Sequence, residues 1–131
     1  MNKCMNKILF VLFITVIIAM IGAAILQIFF PTFLGGTTDY GMNAGWQREI
    51  GIWNLGMITI LVGTLLKGSL NTVKIVASGA AVLGIGFGTN HLVGFFNNAG
   101  MYINLVGALE NYLLVALLFW GLKMVKSKRV K

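Results

Sequence analysis

Residues 8–30 read ILFVLFITVIIAMIGAAILQIFF, 23 positions without a charged side chain. Crossing a hydrocarbon core of about 30 Å takes roughly 20 helical residues, so this stretch reads as a membrane span. Lys3 and Lys7 precede it as they would a secretory signal. Its apolar run nevertheless exceeds the roughly 7–15 residues of a signal core, and no small-x-small cleavage site follows it. We expect it to be retained as the first span.

Composition extends that reading to the rest of the chain. Of 131 residues, 58% are hydrophobic, 10% are charged and one is proline, with a mean hydropathy of +0.90. Soluble domains carry about a quarter charged residues. Three more apolar segments follow the first. The expected fold is all-α: one membrane-embedded four-helix bundle over residues 1–131, with spans near 8–30, 49–66, 73–96 and 101–124 and a basic tail at 125–131.

The basic residues orient this bundle. Lys3 and Lys7 precede span one, Lys67 and Lys74 flank the turn between spans two and three, and Lys123, Lys126, Lys128, Arg129 and Lys131 close the chain. With four spans, these nine lie on one side and Arg48 alone on the other. Positive charge accumulates on the cytoplasmic side, so a multi-pass protein of the cell membrane with both termini cytoplasmic is expected. The net charge of +7 then reflects topology and contact with anionic lipid. The tail KMVKSKRVK lacks the aromatic interleaving and fold signals of a nucleic-acid binder, so lipids and not nucleic acid are the expected partners. Cys4 is the single cysteine, which excludes an internal disulfide framework.

All three acidic residues, Asp39, Glu49 and Glu110, fall in the other half of the molecule with Arg48. The 31–46 connection PTFLGGTTDYGMNAGW reads as an interfacial loop rich in aromatic residues, or as a lid over a cavity. Arg48 and Asp39 mark this outer mouth. In span two, Glu49, Trp53, Gly56, Ile60, Gly63 and Lys67 share one helical stripe, which predicts that Glu49 and Trp53 face the bundle and that Asn54 points away from that line. In span three, Ala77, Ala81, Gly84, Gly88 and His91 step along one face, whose small residues let a second backbone come close. His91 is then turned into the bundle, as a hydrogen-bonded structural residue or as a group that exchanges protons near neutral pH.

Span four carries Asn104, Gly107, Glu110 and Asn111 over about a third of its circumference. Glu110 lies roughly 13 Å below the start of that span at a rise of about 1.5 Å per residue, close to the midplane. A charge at that depth costs at least about 2.5 kcal/mol, so it is paired, wet or protonated, and it marks a functional site by default. Glu49, His91, Glu110, Asn111, Asn104 and Trp53 are therefore the candidate ligand or proton site, and Gly56, Gly63, Gly84, Gly88 and Gly107 the candidate packing positions. The chain has no haem-type His pair, no Cys/His zinc cluster, no phosphate-binding glycine loop and no Ser/His/Asp set, so no cofactor or metal is expected. Asn43-Ala44-Gly45 before span two recurs as Asn98-Ala99-Gly100 before span four, as a duplicated hairpin or a shared helix opening would give.

REIGIWNLG at 48–56 and GFGTNHLVGFFNNAG at 86–100 resemble small four-helix prokaryotic integral membrane proteins of unknown function. That resemblance implies the fold and carries no activity. The chain does not resemble four-helix fluoride channels, whose polar motifs it lacks, or small multidrug exporters, whose glutamate is in the first span. Three readings follow. The first is binding or transport of a small ligand, ion or proton in the outer half, with a homodimer supplying a further wall. The second is an accessory subunit of a larger membrane complex. The third and weakest is an enzyme acting on lipid or quinone, which needs its acid and base within about 3 Å of the reacting atoms.

Overall fold

Asn6 opens the first helix. Its Oδ1 accepts the Leu9 amide at 2.9 Å, satisfying one of the N–H groups that a helix start leaves without an intrahelical partner. Helix α1 then runs Lys7–Phe29. Pro31, whose missing N–H and fixed φ suit a first helical position, begins the short α2, Pro31–Thr37. Asn43 caps α3, Ala44–Lys67, through the Trp46 amide at 3.1 Å. Ser69 caps α4, Leu70–Asn97, through the Thr72 amide at 3.2 Å, and α5 spans Tyr102–Met124.

The computed structural model describes residues 5–37, 43–98 and 101–125. Lys3, Cys4, Asp39, Tyr40, Ala99, Gly100 and the tail from Lys126 lie outside them. Among the described residues every regular element is helical, and α1, α3, α4 and α5 are each long and apolar enough to cross a membrane. The all-α four-helix class is thus the one the apolar runs predict. The second span begins earlier than expected, so Trp46 already belongs to α3. Part of the expected loop is the helical turn α2, which packs on α1 and α3.

The four long helices form two antiparallel pairs, α1 with α3 and α4 with α5, and contact between the pairs is much thinner. We call the end bearing the start of α1, the α3–α4 turn and the end of α5 the base, and the opposite end the mouth. The hydrophobic core sits in the base half, where Leu9, Phe13, Leu61, Val73 and Leu118 are almost fully buried. There Asn6 Nδ2 donates to the Gly121 carbonyl at 2.6 Å, and a Cβ at Gly121 would come within 2.7 Å of Leu9 Cδ2. A glycine at 121 is what lets α1 close on α5 at this point.

The α3 stripe faces the other way from the sequence expectation. Glu49, Gly56, Gly63 and Lys67 are exposed, as are Trp53 at 74% and Ile60 at 50%. Among the described residues no atom lies within 4 Å of a Cβ built at Gly56 or Gly63, so these two glycines face open space there. The face α3 turns to α1 carries Gly51, where a Cβ would lie 2.6 Å from Ile28 Cγ1, and Asn54, whose Nδ2 donates to Gln27 Oε1 at 2.8 Å. The physical reason is backbone proximity: the helices meet where Gly51 removes the side chain between them.

The two Asn-Ala-Gly copies also differ in role. Asn43 caps the start of α3 with its side chain. Asn98 ends α4, donating its N–H to the Gly94 carbonyl and accepting the Met101 N–H, both at 3.0 Å.

Candidate functional site

Helix α5 packs on α4 through a stripe of Asn104, Ala108, Val115 and Leu118, and α4 answers with small residues. A Cβ at Gly84 would lie 2.7 Å from Val115 Cγ2, and one at Gly88 would lie 3.2 Å from Tyr112 Cε1. Near the mouth the same seam turns polar. His91 Nδ1 lies 3.4 Å from Asn104 Oδ1, and a Cβ at Gly107 would lie 3.0 Å from the imidazole ring. Asn104 is fully buried, and its Nδ2 has no hydrogen-bond partner among the described residues. Thr89 Oγ1 and Tyr112 Oη share a hydrogen bond at 3.0 Å, and Asn111 Nδ2 donates to the Gly107 carbonyl at 2.8 Å.

Glu110 occupies another face. One residue before Asn111, it is turned by about 100° from it around the helix, away from the α4 seam and toward α1. It makes no hydrogen bond or ion pair with any described residue. Opposite it, α1 presents Thr15, Ala19 and Ala23, four residues apart and therefore on one face. Short side chains there leave a gap that the two packed pairs do not close. The result is a partly open cavity of about 520 Å³ between the pairs, walled by all four long helices. This is within the roughly 300–1,000 Å³ of small-molecule sites. Its lining is mainly apolar, including Leu12, Met57, Phe87 and Leu113, with polar groups from Thr15, Asn54, Glu110 and Asn111. None of the described basic residues lines it.

The candidate residues are therefore distributed over three places. Glu110 and Asn111 line the cavity. His91, Asn104, Gly84, Gly88 and Gly107 belong to the α4–α5 seam beside it. Arg48, Glu49 and Trp53 are exposed on α3 near the mouth, and neither Arg48 nor Glu49 is ion-paired among the described residues. Glu49 does not join Glu110 in the cavity. Asp39 lies outside the described residues. Among those residues, no group of three or more His, Cys, Asp or Glu side chains gathers where it could hold a metal ion.

Sequence reasoning missed Asn54, Gln27 and Thr15. With the Glu49–Gly63 stripe read as the buried face, Asn54 points away from the packed line. Gly51, three residues earlier on the same face, was the available signal.

No protein-family model, no curated protein and no solved structure matches this chain. These comparisons give no support to the resemblance to small four-helix prokaryotic membrane proteins.

Proposed function

We propose that this integral membrane protein binds a small, largely apolar ligand in the cavity between its two helix pairs, with Glu110 as the polar anchor. One observation carries the reading: an ionisable side chain in mid-span faces a cavity of about 520 Å³ with no partner among the described residues. An intramembrane carboxylate in an apolar setting is expensive to keep without a role, and convergent polar groups in an apolar pocket are the usual form of a ligand site. Asn54 and Asn111 stand on opposite walls as further hydrogen-bonding groups. Movement of a ligand, ion or proton past Glu110 is the transport form of the same reading. Lys7, Lys67, Lys74 and Lys123 at the base, with Arg48 toward the mouth, support a cell-membrane topology with both termini cytoplasmic and the mouth outside.

The test is saturable binding of the neutral fluorophore N-phenyl-1-naphthylamine to the protein in phosphatidylcholine nanodiscs, with empty nanodiscs subtracted. The expected result is one saturable site that Ala19→Phe removes by filling the cavity. Binding that never saturates, or that Ala19→Phe leaves intact, contradicts it.

A second reading, as a homodimer or an accessory subunit of a larger membrane complex, is favoured by the outward face of α3. Ile52, Trp53, Gly56, Met57 and Ile60 line a shallow groove there of the kind that accepts another helix. Gly56→Leu is expected to leave the monomer folded and to shift its crosslinking pattern; an unchanged pattern speaks against this reading. The enzyme reading loses its geometric basis, because Glu49 and Glu110 stand apart and His91 belongs to the α4–α5 seam.

A further inference from the structure

Resting on the cavity reading above, we infer that the ligand class is a lipophilic cation, such as a hydrophobic amine or onium ion, held with its charge against Glu110. Four observations narrow the class. The first is charge: among the described residues Glu110 is the only acidic one lining the cavity, and Lys7, Arg48, Lys67, Lys74 and Lys123 all lie elsewhere. Beside an apolar wall, and with no counter-ion among the described residues, a carboxylate attracts a cation more strongly than it would in bulk water, because the interaction strengthens as the effective dielectric falls.

The second is the chemistry of the remaining wall. Thr15, Asn54 and Asn111 are neutral, and the amides of Asn54 and Asn111 each donate one of their two N–H groups, to Gln27 and to the Gly107 carbonyl. Each amide still carries a carbonyl oxygen that can accept from a cationic donor beside one further N–H, and no lining residue brings a positive charge for an anion. The third is the apolar remainder. Most of the lining is apolar, with Leu12, Met57, Phe87 and Leu113 among its residues, so the ligand needs a hydrophobic body. A small hydrated metal ion would leave this surface unfilled.

The fourth is room around the carboxylate. Glu110 is exposed, and the facing α1 positions Thr15, Ala19 and Ala23 are short. A bulky cation can therefore approach Glu110 without displacing a packed side chain.

The experiment compares two ions of the same shape and opposite charge, tetraphenylphosphonium and tetraphenylborate. Each is equilibrated with the protein in phosphatidylcholine nanodiscs, and binding to empty nanodiscs is subtracted. The expected result is a saturable phosphonium site at least about tenfold tighter than any borate site, a margin consistent with one charge pair at an effective dielectric near 20. Glu110→Gln is expected to abolish that preference and Ala19→Phe to remove the site. The wild-type comparison stands whether or not a variant folds.

Equal affinity for the two ions, preference for borate, or a preference that survives Glu110→Gln overturns the cation inference. If N-phenyl-1-naphthylamine still binds saturably in those cases, the cavity reading survives and only the ligand class fails. If neither ion nor the neutral probe binds saturably, both fail together.

Discussion

The base and the mouth of this bundle are built from the same helices and do opposite things. At the base, Leu9 fits against Gly121, Asn6 ties α1 to α5, and Leu61, Val73 and Leu118 complete a closed core. Toward the mouth, the helices of each pair are joined by a polar contact, Gln27 with Asn54 and His91 with Asn104, and in mid-span, bordered by Leu12 and Leu61 of the core, the two pairs leave a cavity between them. Packing without gaps gives stability, and the gap with its one lining glutamate is the binding site we propose. On that proposal the division assigns folding to the base and binding to the middle of the bundle.

That contrast can be broken from either side. The largest stability effect is expected at the base: Leu9→Ala empties a fully buried position and should cost about 2–5 kcal/mol, read by reversible unfolding in mixed detergent micelles. Gly121→Val forces a side chain into the space of Leu9 and should cost about 1–3 kcal/mol, read as a lower unfolding midpoint. Asn54→Leu at the mouth removes one interhelical hydrogen bond, worth about 0.6 kcal/mol on average in a membrane protein, and should barely move that midpoint. Glu110→Gln is expected to stay within about 0.5 kcal/mol of the parent while changing ligand binding. If Glu110→Gln costs as much stability as Leu9→Ala, the carboxylate is a structural group and the division fails.

The architecture was legible because it follows from length and charge. An uncharged run such as 8–30 can satisfy its backbone in lipid only as a helix, and four such runs leave little choice of fold class. The seam between α4 and α5 was legible too, since Gly84, Gly88 and His91 recur at helical spacing. The orientation of α3 was not. A membrane helix is apolar on its lipid face as well as its packed face, so hydrophobic periodicity does not say which is which. Two glycine faces competed there, one through Gly56 and Gly63 and one through Gly51, and only the approach of Ile28 to Gly51 decides between them. The cavity was illegible for a related reason: it depends on short α1 side chains lying opposite Glu110, a relation between helices distant in sequence.

The most direct test is an experimental density map of the protein in lipid nanodiscs with tetraphenylphosphonium added. The expected map shows α1 touching α5 at Leu9 and Gly121, parting from it toward the mouth, and enclosing ligand density beside Glu110. A map in which α1 and α5 stay in side-chain contact along their whole length, with no space at Glu110, would contradict the account.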